Sequence, residues 1–193
     1  MPMAWEPVPL YVVQDKIKMK DKLLKEISNQ ALEFKSLYAQ YHDIYVTAES
    51  LTAGLIGASI VEIPGSSAWF DRGFITYSNE AKMELLEVKD ETIRAYGAVS
   101  EDTVKQMVKG ALEHSSLATV GVSVSGIAGP DGGSDLKPVG TVWMGFMRKG
   151  KEPVAHCYHF SGDREDVRLK TVLRALQGLS ALTQNHSPVF SDL

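Results

Sequence analysis

A serine lies at the junction between a strand-like run and a helical pattern, in the segment Ala48-Glu49-Ser50-Leu51-Thr52-Ala53-Gly54. The apolar, largely β-branched run 44–47 precedes it, and the amphipathic segment 55–61 follows it. At such a turn, free backbone N–H groups converge with the positive end of a helix dipole. These groups could bind an anion or stabilise the negative charge that develops when a serine attacks a carbonyl. Taken alone, the segment favours a simple helix cap by Ser50 or Thr52, whereas segments further along the chain favour chemistry.

A tyrosine and a lysine flank a second predicted junction between a strand and a helix. Tyr77 ends the predicted strand 69–77, and Ser78 or Asn79 would cap the helix that carries Lys82. A lysine in a partly buried pocket can lose its proton and act as the general base for a serine. Such Ser-Lys pairs are a variant of the catalytic triad that needs no metal, and the tyrosine could relay the proton or position the lysine. The alternative is an exposed lysine that pairs with neighbouring glutamates.

A glycine-rich segment, 123–134, follows the near-continuous apolar run 119–124. Such a run is typical of a strand that is covered on both faces, so the glycines fall at a carboxyl end of the sheet, where α/β proteins bind ligands. Glycines let the backbone approach a ligand and turn its N–H groups inward. The segment is not a Walker A loop, because Lys137 lacks the required context, and no helix follows to make a dinucleotide fingerprint. We therefore favour a ligand loop over a flexible surface loop.

Two arginines occur near the start of the last predicted helix, 163–182. Asp163 can cap this helix, and Arg164 and Arg168 are four residues apart, so they share one helical face. Positive charge at a helix N-terminus opposes the dipole, which suits these arginines better to a bound phosphate than to helix stability. A solvent-exposed face with Arg–Glu pairs remains an equal alternative.

The elements that must position these residues alternate along the chain. Predicted strands are 44–47, 69–77, 119–124, 140–148 and 153–160, and predicted helices are 15–41, 52–61, one beginning near 78, 90–96, 100–114 and 163–182. The alternation predicts an α/β fold, a three-layer α/β/α sandwich. The hairpin turn Arg148-Lys149-Gly150-Lys151 requires an antiparallel strand, so we expect a mixed, mostly parallel sheet with one antiparallel strand.

The composition predicts an ordinary enzyme of one main domain. The chain has 193 residues and a net charge of −4, which gives no electrostatic footprint for nucleic acid. Cys157 is the only cysteine, so no intrachain disulfide can form, and we expect a cytoplasmic location. The five histidines show no zinc signature, and no apolar run approaches the length of a membrane span. We therefore expect no metal, no membrane and no nucleic acid among its partners.

Seven segments, spread over roughly 15–182, resemble the CinA-like C-terminal domain family, the nicotinamide-nucleotide amidases, and occur in that family's order. They are 48–54, Pro64-Gly65-Ser66-Ser67-Ala68-Trp69-Phe70, Thr76-Tyr77-Ser78-Asn79-Glu80-Ala81-Lys82, Gly97-Ala98-Val99-Ser100, 125–133, Pro138-Val139-Gly140-Thr141-Val142-Trp143 and Phe160-Ser161-Gly162-Asp163-Arg164. With this resemblance, we divide the chain into an N-terminal arm, 1–14, a CinA-like amidase domain, 15–183, and a loose tail, 184–193.

The resemblance implies hydrolysis of nicotinamide mononucleotide to nicotinate mononucleotide and ammonia, without metal or organic cofactor. Ser50 matches the nucleophile, Lys82 its base and Tyr77 a flanking polar partner. Substrate-binding roles are expected for Glu49, Thr52, Gly54, Ser125, Gly126, Gly129, Asp131, Gly132, Gly133, Thr141 and Arg164.

The chain departs from the family at Leu51 and Ala53, since relatives often have cysteine and glycine there. The methyl group of Ala53 disfavours a positive φ or a tight backbone approach.

A catalytically silent nucleotide-binding or regulatory module of the same fold is the alternative function. A nucleic-acid-associated protein, suggested by the family's competence-linked name, would require salt-dependent retention on DNA. Apolar residues in the arm and the first helix predict at least a dimer, although the arm could instead fold back over its own sheet.

Overall fold

The structure is a computed structural model, and it describes residues 10–193. The helices are α1 (Leu10–Tyr41), α2 (Leu55–Val61), α3 (Asn79–Leu86), α4 (Asp90–Tyr96), α5 (Glu101–Glu113) and α6 (Arg164–Thr183). The strands are β1 (Tyr45–Glu49), β2 (Phe70–Ile75), β3 (Val120–Gly126), β4 (Thr141–Arg148) and β5 (Val154–His159), with a short 3₁₀ turn at Ser66–Ala68.

The five strands form one mixed sheet in the order β2-β1-β3-β4-β5. Strand β1 is parallel to both of its neighbours, whereas β4 is antiparallel to both β3 and β5. Four strands therefore run in one direction and β4 alone runs in the other, which confirms the predicted mixed sheet. The sheet order changes direction between β1 and β3, because the chain leaves β1 toward β2 and returns on the other side. Ligand sites in open α/β sheets occur at such switch points.

Helices cover both faces of the sheet and enclose two apolar cores, as a three-layer sandwich requires. Strand residues alternate between the faces, so Tyr45 packs in one core and Val46 in the other. The larger core joins the sheet to α1, α2 and α6, and the smaller one joins it to α3 and α5. In the part of the chain that the structure describes, none of the helices is long and apolar enough to cross a membrane.

Helix α3 is held in place by a cap and by a close approach to α5. Ser78 Oγ accepts a hydrogen bond from the Ala81 N–H at 3.0 Å, which confirms the predicted cap. In α5, a Cβ at Gly110 would collide with the Leu86 carbonyl at the end of α3. This glycine therefore lets the two helices pack closely, and that packing fixes the helix that carries Lys82.

Two predicted helix starts and the predicted loose tail differ most from the structure, whereas the other boundaries agree within about two residues. Helix α1 begins at Leu10 rather than Asp15, so only residues 1–9 of the predicted arm remain, and they lie outside the described residues. Helix α2 begins at Leu55 rather than Thr52, because the two residues before it adopt left-handed conformations. The C-terminal tail is not loose, since Phe190 N–H donates to the Tyr158 hydroxyl and the Ser191 carbonyl accepts from Arg174.

Candidate active site

A cavity of about 280 Å³ opens at the carboxyl ends of the parallel strands. Ser50 follows β1, Tyr77 follows β2, and Ser125 and Gly126 end β3. All four line the cavity, and Arg164 joins them from the first turn of α6. The sheet topology thus assembles residues that lie far apart in the sequence, at the place where the strand order changes direction.

The side chains of Lys82 and Ser50 are in direct contact. Lys82 Nζ donates to Ser50 Oγ at 3.2 Å, and also to the backbone carbonyls of Thr76 at 2.8 Å and Tyr77 at 3.2 Å. Only 1% of Lys82 is exposed. Among the described residues, no carboxylate forms an ion pair with it, so neutral oxygens alone surround the amine. This arrangement places a buried lysine within hydrogen-bond distance of a candidate nucleophile.

The environment of Lys82 favours the neutral amine. Burial lowers its pKa from the usual 10.5 to about 8, because removal from water penalises the charged form and no negative partner offsets that penalty. At pH 7 about one tenth of such a group is neutral, and at pH 8 about one half. Lys82 can therefore accept a proton near neutral pH, as a general base must.

The carboxylate of Glu49 organises the segment that carries Ser50. Its oxygens accept hydrogen bonds from the hydroxyls of Thr47 and Thr52 at 3.0 and 2.7 Å. They also accept from the backbone N–H groups of Gly54, Ile56 and Gly57 at 2.9–3.1 Å. Glu49 therefore satisfies the orphan donors at the start of α2, a role that the sequence suggested for Ser50 or Thr52.

The loop between β1 and α2 has an unusual backbone. Ala53 has φ of 51° and Gly54 has φ of 95°, so two successive residues are left-handed. Glycine adopts this conformation freely, whereas alanine does so at a cost of about 1–2 kcal/mol. The substitution that the sequence singled out at position 53 is thus accommodated with local strain, and hydrogen bonds to the loop must offset it.

One N–H group of this loop is available to a ligand in the cavity. The N–H groups of Ser50, Ala53 and Gly54 donate to the Val124 carbonyl, the Ser50 carbonyl and Glu49. No hydrogen bond among the described residues takes the N–H of Leu51 or Thr52. Thr52 is fully buried behind the cavity, whereas Leu51 lines it. The Leu51 N–H is therefore the candidate donor to a substrate oxygen.

The opposite wall of the cavity is built from the glycine loop and α6. Arg164 Nη1 donates to the Gly129 carbonyl at 2.8 Å, and among the described residues its other N–H groups make no hydrogen bond, so they can bind an anion. Lys137 Nζ donates to the carbonyls of Tyr96 and Val99 at 2.8 and 2.7 Å. It therefore ties the glycine loop to the segment after α4, and both segments contribute to the cavity.

Most of the predicted site residues meet in this cavity. Those that line it are Ser50, Tyr77, Lys82, Ser125, Gly126, Gly129, Asp131, Gly132 and Arg164. The contact between Tyr77 and Lys82 is made by the tyrosine carbonyl, and the phenol side chain is 63% exposed.

Other predicted site residues lie behind the cavity or outside it: Glu49, Thr52, Gly54, Gly133 and Thr141. Both oxygens of Glu49 are occupied by protein donors, so its contribution is to shape the Ser50 loop rather than to touch a ligand. Sequence reasoning assigned no role to the lining residues Leu51, Ala98, Val99, Ile127 and Ala128. The available signal was their place inside matched segments, since small and apolar side chains carry no chemical pattern of their own.

Comparisons with known proteins show the family of the chain. A sequence model of the CinA C-terminal domain matches residues 28–183. The nicotinamide-nucleotide amidohydrolase PncC of Enterobacter agglomerans is 52% identical over 162 residues, which cover 82% of this chain and 94% of that protein. The PncC protein of Escherichia coli K12 is 48% identical over 161 residues, covering 83% and 95% of the two chains.

Solved structures show the same architecture. The crystal structure of the competence/damage inducible protein CihA from Agrobacterium tumefaciens superposes with a TM-score of 0.79 at 42% identity. The match covers 82% of this chain and 96% of that one. The chain is therefore an α/β protein with a mixed five-stranded sheet. It belongs to the CinA C-terminal domain family.

We predict that Glu49→Gln lowers the free energy of unfolding by about 2–4 kcal/mol, because an amide NH₂ would face N–H and O–H donors in a buried site. Chemical denaturation measures this change. Glu62→Gln, at the exposed far end of the same helix, is the matched control and should stay within about 0.5 kcal/mol of the unaltered protein. Equal stability of the two variants would contradict the role assigned to Glu49.

Proposed function

We propose that this protein hydrolyses the carboxamide of nicotinamide mononucleotide, giving nicotinate mononucleotide and ammonia. The observation that carries the proposal is the buried Lys82 amine at 3.2 Å from Ser50 Oγ, which forms no ion pair among the described residues. The names of the PncC relatives, at about 50% identity over nearly their whole length, support the same substrate. A buried lysine with a lowered pKa next to a serine is typical of an active site, so this pair favours catalysis over a silent nucleotide-binding module.

The proposed reaction proceeds through an acyl-enzyme. Neutral Lys82 accepts the proton of the Ser50 hydroxyl while Ser50 Oγ attacks the carboxamide carbon and forms a tetrahedral intermediate. Lys82 then returns the proton to the departing nitrogen, the C–N bond breaks, and ammonia leaves. Water attacks the resulting ester with Lys82 again as the base, and nicotinate mononucleotide and free Ser50 are regenerated.

The negative oxygen of the intermediate needs hydrogen-bond donors on the Ser50 side of the cavity. The Leu51 N–H suits this role, because it makes no hydrogen bond among the described residues and Leu51 lines the cavity. The N–H of the residue after the nucleophile is the usual donor in serine hydrolases whose nucleophile lies on a strand-to-helix turn. The 5′-phosphate would bind the glycine loop and Arg164, which line the same cavity.

A cytoplasmic location stays a prediction, supported by the single cysteine. We also propose at least a dimer in solution. Ile17, Leu24 and Leu32 are 54%, 43% and 57% exposed, and their spacing of seven and eight residues places them on one side of α1. A second copy of the chain would cover this apolar stripe.

Ser50→Ala and Lys82→Met should each reduce kcat by several orders of magnitude, and the double variant should be little worse than either one. Residues that act as a unit show this non-additivity. Ammonia release from nicotinamide mononucleotide measures it, with the exposed Lys109→Met as control. If the reductions in kcat of the two single variants simply multiply in the double variant, Ser50 and Lys82 do not act as a catalytic pair.

The described residues contain no cluster of three or more His, Cys, Asp or Glu able to hold a metal, so a chelator should leave the rate unchanged.

The value of kcat/KM should rise with pH through about 8 and then level off. The reason is that Lys82 must be neutral to accept the Ser50 proton, and its pKa is lowered to about 8. Initial rates at low substrate concentration, between pH 6 and 10, test this. A profile that falls through this range, or rises only near 10.5, would show that Lys82 is not the base.

Nicotinamide mononucleotide should be hydrolysed far better than its riboside, because binding of the remote phosphate helps to orient the amide. Arg164→Ala should reduce this preference by about 10- to 150-fold, as loss of a charge-assisted hydrogen bond predicts. Arg164→Lys should retain part of it, and the exposed Arg94→Ala should retain all of it. The two substrates are compared by their kcat/KM values, and similar values in the unaltered protein would exclude a phosphate subsite.

Replacing Leu24 and Leu32 together by lysine should convert the dimer into a monomer, because charge on the stripe prevents its burial. Light scattering at micromolar concentration tests this. Circular dichroism provides the control for folding. A monomeric unaltered protein would contradict the proposal, and a dimer that survives both substitutions would move the interface away from α1.

A further inference from the structure

Arg168 reaches from α6 to the loop that carries Ser50. Its Nε donates to the Leu51 carbonyl at 2.9 Å, and its Nη2 donates to the Thr52 carbonyl at 3.3 Å. The side chain is part-buried and lies one helical turn after Arg164. These two contacts join α6 to the backbone directly after Ser50, although more than 100 residues separate them in the sequence.

The same contacts restrain the Leu51 N–H group. Leu51 lines the cavity, and its N–H makes no hydrogen bond among the described residues. The peptide before it is held through the Ser50 carbonyl, which accepts from the Ala53 N–H at 3.1 Å, and the peptide after it is held through the Leu51 carbonyl by Arg168. Because a peptide unit is planar, fixing the peptides on both sides of Leu51 fixes the direction of its N–H.

The loop needs such an external anchor. Glu49 fixes the end of the loop through the Gly54 N–H, but the Leu51–Thr52 peptide lies beyond its backbone contacts. Ala53 is held at φ of 51°, where alanine is strained. Without Arg168, relaxation of Ala53 would rotate the peptides that precede it, and the Leu51 N–H would turn with them.

We propose that Arg168 is a positioning residue that orients the Leu51 N–H group toward the oxyanion of the intermediate. This inference rests on the proposed acyl transfer through Ser50. Arg168 thus acts on the transition state through the backbone and touches no substrate atom.

The test compares Arg168→Met, Arg168→Lys and the matched control Arg174→Met in the full chain. Arg174 lies on the same helix and donates to a backbone carbonyl of the C-terminal tail, far along the chain from the Ser50 loop. We expect Arg168→Met to reduce kcat by about 10- to 100-fold, as a small misplacement of an aligned group does, with KM changed by less than about threefold. Arg168→Lys should be intermediate, because it keeps a charge but not the two-pronged contact.

Two readouts separate positioning from general loss of structure. The rise of kcat/KM through about pH 8 should persist in Arg168→Met, since the surroundings of Lys82 are unchanged. Added guanidinium or ethylguanidinium, at concentrations below those that unfold the protein, should restore part of the rate of Arg168→Met and none to Lys82→Met. Arg174→Met should keep a normal kcat even if its midpoint of thermal unfolding falls as far as that of Arg168→Met.

A fluorophosphonate probe makes the result independent of the natural substrate, because its phosphonyl oxygen demands the same donors when Ser50 attacks. Slower labelling of Ser50 in Arg168→Met, by a factor similar to that in kcat, supports the inference even if nicotinamide mononucleotide proves not to be hydrolysed. The inference would be overturned if Arg168→Met raised KM and left kcat unchanged, or if it left the labelling rate of Ser50 unaltered. Equal reductions of kcat in Arg168→Met and Arg174→Met would also overturn it. No labelling of Ser50 in the unaltered protein would overturn both this inference and the acyl-enzyme.

Discussion

The site depends above all on one buried carboxylate. Glu49 is 1% exposed, and its five hydrogen bonds come from β1, from the Ser50 loop and from the first turn of α2. A buried charge is tolerated only when it is fully hydrogen-bonded, and the positive end of the α2 dipole adds to its stabilisation. Strand, loop and helix are therefore fixed to a single point. Ser50 follows Glu49 directly, so the position of the candidate nucleophile is set by the same interaction.

In contrast to those of Glu49, the surroundings of Lys82 disfavour the charged form of the side chain. Only neutral oxygens surround it, and its pKa is lowered from 10.5 to about 8 in the folded state. Below pH 8 the folded protein therefore carries an unfavourable buried charge worth about 3 kcal/mol. This cost decreases as pH rises from 8 to 10.5 and vanishes above the unfolded pKa. The protein is therefore less stable at neutral pH than it would be with a fully solvated lysine. In the same pH range, a sufficient fraction of Lys82 is neutral and can act as a base.

The layers, the antiparallel strand and the cap of α3 by Ser78 could be predicted, because alternation, a hairpin turn and a capping residue are local patterns. The pairing of Ser50 with Lys82 needed the family resemblance, since no local pattern indicates that two segments meet across a sheet. The role of Glu49 was missed for a physical reason. Its partners include N–H groups up to eight residues away, and they converge only because Ala53 and Gly54 turn the chain back. Sequence gives no direct sign of a left-handed alanine.

Two arginines near the start of α6 are unfavourable for the helix itself but hold two loops of the cavity in place. Positive charge in the first turns of a helix opposes its dipole, which suggested a phosphate ligand for Arg164 and Arg168. Each of them also binds a backbone carbonyl of a cavity loop, Gly129 for Arg164 and Leu51 for Arg168. Helix α6 tolerates these charges because a capping box of Asp163 and Asp166 places two carboxylates at its N-terminus. The two loops therefore direct carbonyl groups toward α6. Charges that oppose the dipole of α6 thus hold in place the two loops that line the cavity.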